Sequence, residues 1–179
     1  MSAEFSRRSF LKYTALTAVA VAGSSLLSGC SGSSSVQQTV GSTNTVLQVR
    51  STLQSAVYDA SAQTATFTLS VYNGRGNIVV AGSPLSVTRA NFKVTGSNGY
   101  YAYMDENISV SSPDSFDPQI RPKGSATFCV TVRNLSLSSG DTLCFTYYPD
   151  IPEYTEYTAN WVLTTEALTP AQGPDGSGS

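Results

Sequence analysis

The sequence predicts an all-β protein, an immunoglobulin-like antiparallel β-sandwich of about seven or eight strands. Three observations lead to this prediction. Apolar and polar residues alternate with a period of two along most of the chain after residue 45. Turn residues such as Asn73-Gly74 and Asn98-Gly99 separate the alternating runs, and no window has sustained helical periodicity. Short strands separated by such turns are typical of sandwiches whose sheets each have one wet face.

The alternating runs give the order of the strands. The clearest are residues 64–71 and 126–132, where apolar side chains alternate mainly with threonines. Residues 113–123 contain three prolines and therefore do not form a central strand. The other predicted strands lie at 46–58, 78–81, 87–94, 100–104, 108–110, 143–147 and 157–163.

The first 29 residues have the layout of an export signal. A basic start precedes an uncharged, mostly apolar stretch at 13–29. Residues 6–12 read Ser-Arg-Arg-Ser-Phe-Leu-Lys and match the twin-arginine consensus Ser/Thr-Arg-Arg-x-Phe-Leu-Lys at every specified position. The motif residues are Arg7, Arg8, Phe10, Leu11 and Lys12. A membrane-spanning helix is the alternative, but the stretch is short for a bilayer core of about 30 Å and is diluted by Thr, Ser and Gly.

Cys30 ends this segment. Residues 27–30, Leu-Ser-Gly-Cys, resemble a lipobox, whose cysteine receives a diacylglycerol and becomes the mature N-terminus. The alternative is a non-lipidated signal followed by an unrelated cysteine. The resemblance to bacterial lipoproteins implies several acyl chains (palmitate) on Cys30, an anchor to which each buried CH₂ contributes about 0.8 kcal/mol. It also implies processing by the twin-arginine translocase and the lipoprotein signal peptidase, and an extracytoplasmic location on the cell membrane or the outer membrane.

Composition divides the chain into four parts. Residues 1–29 form the signal peptide, and residues 30–45 form a flexible Ser/Gly-rich tether with few apolar side chains. The sandwich occupies residues 46–166. Residues 167–179, rich in Gly, Pro and Ser, are expected to be a disordered tail.

The mature chain is mildly acidic and contains no histidine. Removing residues 1–29 takes away three basic residues and one acidic residue, which leaves 7 basic and 11 acidic side chains and a net charge of −4. The scattered cations argue against nucleic-acid binding. Without His, a Ser-His-Asp or Cys-His catalytic set is impossible, and an ordinary zinc or copper site is not expected.

We therefore expect no cofactor, no metal and no enzymatic activity. A catalytic alternative remains, an enzyme that uses only Asp, Glu, Lys or Tyr. It requires a deep pocket with convergent carboxylates, which a small sandwich seldom has.

Cys129 and Cys144 remain when Cys30 is lipidated, and an even pair in an oxidising compartment favours a disulfide. Each alternates against apolar neighbours, so both point away from the core side of their strands. If the two strands form a hairpin, the thiols pair on its outer face. If the strands lie in opposite sheets, the thiols cannot meet. We expect the hairpin and a structural disulfide, which contributes about 3 kcal/mol in the chain-entropy model.

Three segments resemble the telokin-like domains of bacterial lipoproteins. They are Phe67-Thr-Leu-Ser-Val-Tyr-Asn73, Ala90-Asn-Phe-Lys-Val-Thr-Gly-Ser-Asn-Gly-Tyr-Tyr101 and Ile120-Arg-Pro-Lys-Gly-Ser-Ala-Thr-Phe-Cys-Val130. The family pattern has a strand ending in Asn, an x-Phe-x-Val/Leu strand before an Asp/Asn-Gly turn, and a Leu-x-Pro-Gly element. Here Lys123 separates Pro122 from Gly124. The resemblance covers residues 46–165 and implies an immunoglobulin-like fold, but no activity.

Tyrosines are the candidates for a recognition surface. Adjacent tyrosines on a strand point to opposite faces, so one of each pair faces outward, where its ring offers contact area at small entropic cost. Core packing and edge covering are the alternative roles. The tyrosine-rich set comprises Tyr100, Tyr101, Tyr103, Tyr147, Tyr148, Tyr154 and Tyr157, with Trp161 beside it. The candidate recognition residues are Tyr100, Tyr101, Tyr148 and Tyr154.

Acidic residues gather in three predicted loops. They are Asp105-Glu106, Asp114 with Asp117, and Asp150 with Glu153 and Glu156. None has the spacing of a known calcium loop. Solvated loop charge is therefore the expected role.

The sequence thus predicts a membrane-anchored extracytoplasmic lipoprotein that acts as a non-catalytic binding module. Its expected partner is an envelope protein or a surface ligand. The alternative is an accessory or chaperone-like subunit of a co-exported redox enzyme, because such enzymes use the same export route.

Overall fold

The computed structural model describes residues 39–76, 84–112, 119–149, 151 and 157–171. Apart from one parallel pairing, the strands described there pair antiparallel, and the prediction of an all-β antiparallel sandwich is confirmed. The strands are β1 Thr43–Val46, β2 Val49–Asp59, β3 Thr64–Asn73, β4 Leu85–Ser86, β5 Phe92–Gly96, β6 Tyr101–Tyr103, β7 Ile108–Ser111, β8 Gln119–Ile120, β9 Ser125–Val132, β10 Thr142–Tyr147, β11 Ala159–Thr164 and β12 Thr169–Pro170.

Two main sheets form the sandwich. The first sheet has the order β1-β2-β3-β9-β7, and β12 adds to β2 in parallel. The second sheet has the order β11-β10-β5-β6. The two-residue strands β4 and β8 pair with each other. Along the described strands the chain therefore crosses between the two main sheets four times, between β3 and β5, β6 and β7, β9 and β10, and β11 and β12.

The core lies between the two sheets and contains a row of aromatic rings. Alternation along β3 turns Phe67 inward, as the sequence predicts, and its ring stacks on Phe145 of β10 with centroids 4.6 Å apart. Phe145 also contacts Phe92 and Trp161, each with a centroid distance of 5.8 Å. These four side chains are fully buried. Each contributes about 1.5–3 kcal/mol relative to an exposed position, so this row is a large part of the contact between the sheets.

The folded part extends beyond the predicted limits of 46 and 166. β1 begins within the predicted tether, and the Gly41 N–H donates to the Leu53 carbonyl over 2.7 Å. β12 lies within the predicted tail, and the Ala171 N–H donates to the Tyr58 carbonyl over 3.0 Å. Main-chain hydrogen bonds to β2 hold both segments, and composition does not reveal such bonds.

Asn73 joins two of the segments on which the family resemblance rests. Its side-chain amide donates to the Ile120 carbonyl over 3.0 Å, and its own N–H donates to the Gly124 carbonyl over 2.9 Å. The Lys123 N–H returns a bond to the Asn73 carbonyl over 2.7 Å. The side chain is fully buried, with these partners and Arg75 around it. The Asn that ends β3 therefore fixes the turn that starts β9.

The predicted Cys129–Cys144 disulfide is wrong. Cys129 is a free, half-buried thiol on β9 of the first sheet, while Cys144 lies on β10 of the second. Phe128 and Phe145, their chain neighbours, face the core, so the two cysteines face opposite outer sides of the sandwich. β9 and β10 do not form a hairpin because their connection crosses one end of the sandwich, where Leu135 is fully buried.

The predicted strand at 87–94 begins late. Residues Arg89–Asn91 form a short 3-10 turn, and the strand starts at Phe92. Thr88 caps the turn: its N–H donates to the Asn91 side-chain oxygen over 2.7 Å. This Thr-x-x-Asn pair is a variant of the usual capping box and satisfies the main chain without strand pairing. The predicted strand at 78–81 lies outside the described residues, and no helix within them is long and apolar enough to cross a membrane.

Candidate recognition surface

The β5–β6 hairpin forms one edge of the second sheet. The Gly96 N–H donates to the Tyr100 carbonyl over 2.9 Å and closes the turn. Asn98 fixes the turn twice, because its side-chain oxygen accepts from the Tyr100 N–H and its amide donates to the Ser136 carbonyl over 2.6 Å. A β-carbon at position 96 would lie 2.5 Å from the Asn98 side-chain oxygen, so a larger residue there would displace Asn98 from these bonds. The hairpin is therefore held rigidly at the sandwich edge.

Tyr101 and Tyr103 project from the outer face of β6. Ala102 between them is fully buried, so alternation turns both rings to solvent. Tyr101 is 59% exposed, Tyr103 is 37% exposed, and the next residue, Met104, is 53% exposed. These are three of the five exposed large apolar residues among those described. We call Tyr101, Tyr103, Met104, Tyr148 and Lys93 the tyrosine surface.

Tyr148 and Lys93 continue this surface onto the neighbouring strands. The Tyr148 ring lies 6.1 Å from that of Tyr103 in a tilted arrangement, and the Lys93 ammonium lies 5.8 Å from the centroid of Tyr148. Register places Lys93 directly opposite Tyr103. Aromatic faces beside one cation suit a partner with flat apolar groups and a negative or polar group.

Asn91 holds Tyr148 in place. The Asn91 side-chain amide donates to the Tyr148 carbonyl over 2.9 Å, and the Asn91 main-chain carbonyl accepts from the Tyr148 N–H over 2.8 Å. Both partners belong to the main chain, so Tyr148 keeps its position whatever its ring contacts. Sequence reasoning missed Asn91, because its role depends on two segments more than fifty residues apart.

Met104 has an unusual backbone conformation. Its φ is +58°, in the left-handed region that side chains other than Gly, Asn and Asp seldom adopt. Such residues cost on the order of 1 kcal/mol or more and concentrate at functional sites. Met104 is one of six described non-Gly residues with a positive φ, and among the apolar side chains of these six its own, at the end of β6, is the most exposed.

Tyr100 does not belong to the tyrosine surface. It lies on the opposite face of the strand from Tyr101, packs against the core, and its hydroxyl donates to the Arg133 carbonyl over 2.6 Å. Burial, with a smaller contribution from the nearby Asp105 carboxylate, raises the pKa of Tyr100 to about 12. The phenol therefore connects the hairpin to the end of β9 and has a structural role.

The other predicted site residues have mixed outcomes. Tyr101 and Tyr148 lie on the tyrosine surface, together with Tyr103, Met104 and Lys93, which the prediction did not select. Tyr154, Cys30 and the export motif Arg7, Arg8, Phe10, Leu11 and Lys12 lie outside the described residues.

The acidic loops are described only in part. The Asp105 carboxylate accepts from the Asn107 N–H over 2.9 Å, an ordinary loop contact. The acidic residues at 114, 117, 150, 153 and 156 lie outside the described residues. Within the ranges that are described, no group of three or more Cys, Asp or Glu side chains lies close enough to hold a metal ion.

Comparison of the chain with protein-family models, with characterised proteins and with solved structures finds no match. Functional inference therefore depends on the residues and geometry described above.

Proposed function

We propose that this protein is a membrane-anchored lipoprotein of the bacterial cell envelope, whose sandwich acts as a non-catalytic interaction module. The observation that carries the proposal is the tyrosine surface: exposed Tyr101, Tyr103 and Met104 lie together on a rigid edge hairpin. Tyr and Met are enriched at protein interfaces, and large apolar side chains grouped at one edge are typical of binding sites. The proposed partner is an envelope protein.

Sequence features support the anchor in this proposal. The twin-arginine motif and the Leu-Ser-Gly-Cys segment lie at the spacing of an exported lipoprotein signal, so acylation of Cys30 would tether the sandwich outside the cytoplasmic membrane. The lack of His supports a non-catalytic role. The twin-arginine translocase and the lipoprotein signal peptidase are the proposed partners during export.

The strand order supports an immunoglobulin-like version of the sandwich. The run β2-β3-β9-β7 faces β11-β10-β5-β6, which corresponds to the A-B-E-D and G-F-C order of that fold with one strand added beside C. A strand at the edge of a sheet presents unpaired N–H and C=O groups to a partner. The tyrosine surface lies on this added strand, β6.

Crosslinking in intact cells tests the proposed binding. The lipidated wild-type protein, a Tyr101→Ser/Tyr103→Ser variant and a Tyr72→Ser control would be crosslinked, and their adducts identified by mass spectrometry. Tyr72 is a matched control because it lies on the outer face of the first sheet, where Arg50 stacks over its ring at 4.4 Å. We expect a dominant adduct that the double variant loses and the control keeps.

Three results would change the proposal. If all three proteins give the same adducts, the tyrosine surface is not the binding site. If the dominant partner is a redox enzyme, the accessory-subunit alternative replaces the general module. The anchor is tested separately: metabolic labelling with palmitate should mark the wild type but not Cys30→Ser, and equal labelling would overturn the lipoprotein assignment.

A further inference from the structure

Within the described residues, no strand pairs with the outer edge of β6, which leaves a row of its main-chain hydrogen-bonding groups without a strand partner. The bond from Gly96 N–H to the Tyr100 carbonyl makes residues 96 and 100 a hydrogen-bonded pair. Pairs alternate along an antiparallel ladder, so Ala102 bonds to β5, while the N–H and C=O groups of Tyr101 and Tyr103 point away from it. Among the described strands β6 is the last in its sheet.

We propose that β6 pairs with β6 of a second copy of this chain, and that this self-association is the interaction made by the tyrosine surface. The inference rests on the proposed function, because it identifies the partner of the same surface. Antiparallel pairing about a two-fold axis at Ala102 places Tyr101 of each copy opposite Tyr103 of the other. The four open main-chain groups on each strand then find partners in one register.

The side chains of β6 favour this pairing. The strand Tyr-Ala-Tyr has no charge and no proline, two of the features with which proteins protect an open edge, although it is short, which is a third. In the proposed register two Tyr–Tyr pairs lie across the new ladder on the outer face, and Tyr148 of each copy extends the row of rings. Met104 ends the strand, since its positive φ turns the chain out of the ladder.

The charge distribution is compatible with two identical surfaces. Lys93 is the cation of the tyrosine surface, and it lies on β5, one strand in from the edge. In the dimer the two Lys93 residues are three strand spacings apart, about 14 Å. This separation exceeds the Debye length of about 8 Å at physiological ionic strength, so their repulsion is largely screened.

A second copy is favoured over a free peptide because the edge is short. A three-residue ladder belongs to the smallest and weakest class of interface, so a dilute peptide would bind it poorly. Two copies anchored through Cys30 in one membrane have a high effective concentration and a restricted orientation, which makes a weak contact sufficient. Self-association is therefore expected mainly for the lipidated protein.

Cysteine crosslinking in the full-length lipidated protein tests the register. Two variants, Tyr101→Cys and Tyr103→Cys, each with Cys129→Ser and a different epitope tag, would be expressed singly and together and treated with a mild oxidant. In the proposed dimer positions 101 and 103′ have Cα atoms about 5.5 Å apart, within the range for a disulfide. Positions 101 and 101′, like 103 and 103′, are more than about 7 Å apart and beyond that range.

We expect a mixed disulfide at least several-fold more abundant than either homodimeric disulfide. Tyr72→Cys in the same background is the matched control on the opposite face and should give none. Mixed and homodimeric products in equal amounts, or no product above the control, would overturn the proposed pairing.

The crosslinking of the wild-type protein in intact cells, described above, distinguishes failure of the proposed self-association from failure of the proposed function. If the mixed disulfide is absent but Tyr101 and Tyr103 are required to capture a different protein, the self-association is wrong and the interaction module stands. If neither the disulfide nor any adduct dependent on these tyrosines forms, both proposals are overturned.

Discussion

At the residue scale, polar side chains buried at strand ends carry much of the specificity of this fold. Asn73 is the clearest case, because its buried amide bonds to the Ile120 carbonyl and to Arg75. A buried polar partner that is removed leaves groups unsatisfied, which costs more than the bond itself contributes.

Asn73→Ala should lower the free energy of unfolding by about 2–3 kcal/mol, because it leaves the Ile120 carbonyl and the Arg75 side chain without this partner. Urea denaturation measures the change. Asn107→Ala is the control: its bond to Asn134 is exposed and should contribute about 1 kcal/mol or less. Equal losses in the two variants would contradict the role assigned to Asn73.

The Tyr100 phenol should make stability depend on pH in the alkaline range. Its folded-state pKa, about 12, lies above the ordinary value of 10.0, so the neutral form is favoured in the folded protein. The stabilisation is complete below pH 10 and is lost as pH rises toward 12. Tyr100→Phe should be less stable than wild type at pH 8 by about 1 kcal/mol, with the difference shrinking above pH 10. Parallel urea-midpoint curves from pH 8 to 12 would refute this.

Cys129 should react with a maleimide in the native protein without prior reduction, because its thiol is free and half-buried on the outer face of the first sheet. Cys129→Ser should change the free energy of unfolding by less than about 1 kcal/mol. Peptide mapping after labelling locates the adduct. If Cys129 reacts only after a reductant is added, its thiol is in a disulfide, which would contradict the free thiol of the structure.

At the scale of single elements, the sequence predicts which residues form strands better than it predicts which sheet they join. Alternation identifies 64–71 and 126–132, and the structure turns Phe67 and Phe128 inward as expected. The periodicity of a strand does not indicate which other strand it pairs with. The expected hairpin of β9 and β10 fails because residues between them, with Leu135 buried, cross to the other sheet.

In the candidate site, too, the sequence predicts part of the arrangement and leaves the part that depends on strand pairing open. Alternation indicates that one of Tyr100 and Tyr101 faces outward, but the choice depends on register with β5, which places Tyr100 inward toward Arg133. Met104 and Asn91 could not be predicted from the sequence. The backbone of Met104 has a positive φ, and Asn91 bonds to the main chain of a residue distant in sequence; alternation indicates neither feature.

Tyr101→Pro should disrupt pairing at the outer edge of β6 and spare the edge that pairs with β5. Proline removes the Tyr101 N–H, which points away from β5, so the β5–β6 ladder should survive and the melting temperature should change by only a few degrees. Self-association in membranes should be lost. Tyr101→Thr is the control, because it keeps the N–H and removes the ring, and it should weaken the association less. Retained association in the proline variant would contradict strand pairing through this edge.

At the scale of the whole molecule, the sandwich carries three of the five exposed large apolar residues among those described on one edge, and its predicted anchor lies near the N-terminus. The core row from Phe67 to Trp161 holds the sheets together, and the β5–β6 hairpin presents Tyr101, Tyr103 and Met104 to the exterior. With the anchor that we propose at Cys30, this exposed aromatic edge is suited to holding a neighbouring protein in the envelope.

Site-specific photo-crosslinking in living cells tests most directly whether the tyrosine surface is a site of interaction. A photoreactive amino acid would replace Tyr101 in the lipidated full-length protein, with the same substitution at Tyr72 as the matched position on the opposite face. We expect a discrete adduct from position 101, at the mass of two copies of the chain or of one copy and an envelope protein, and none from position 72. Adducts from position 72 alone, or the same adducts from both positions, would contradict the assignment of the tyrosine surface as the site of interaction.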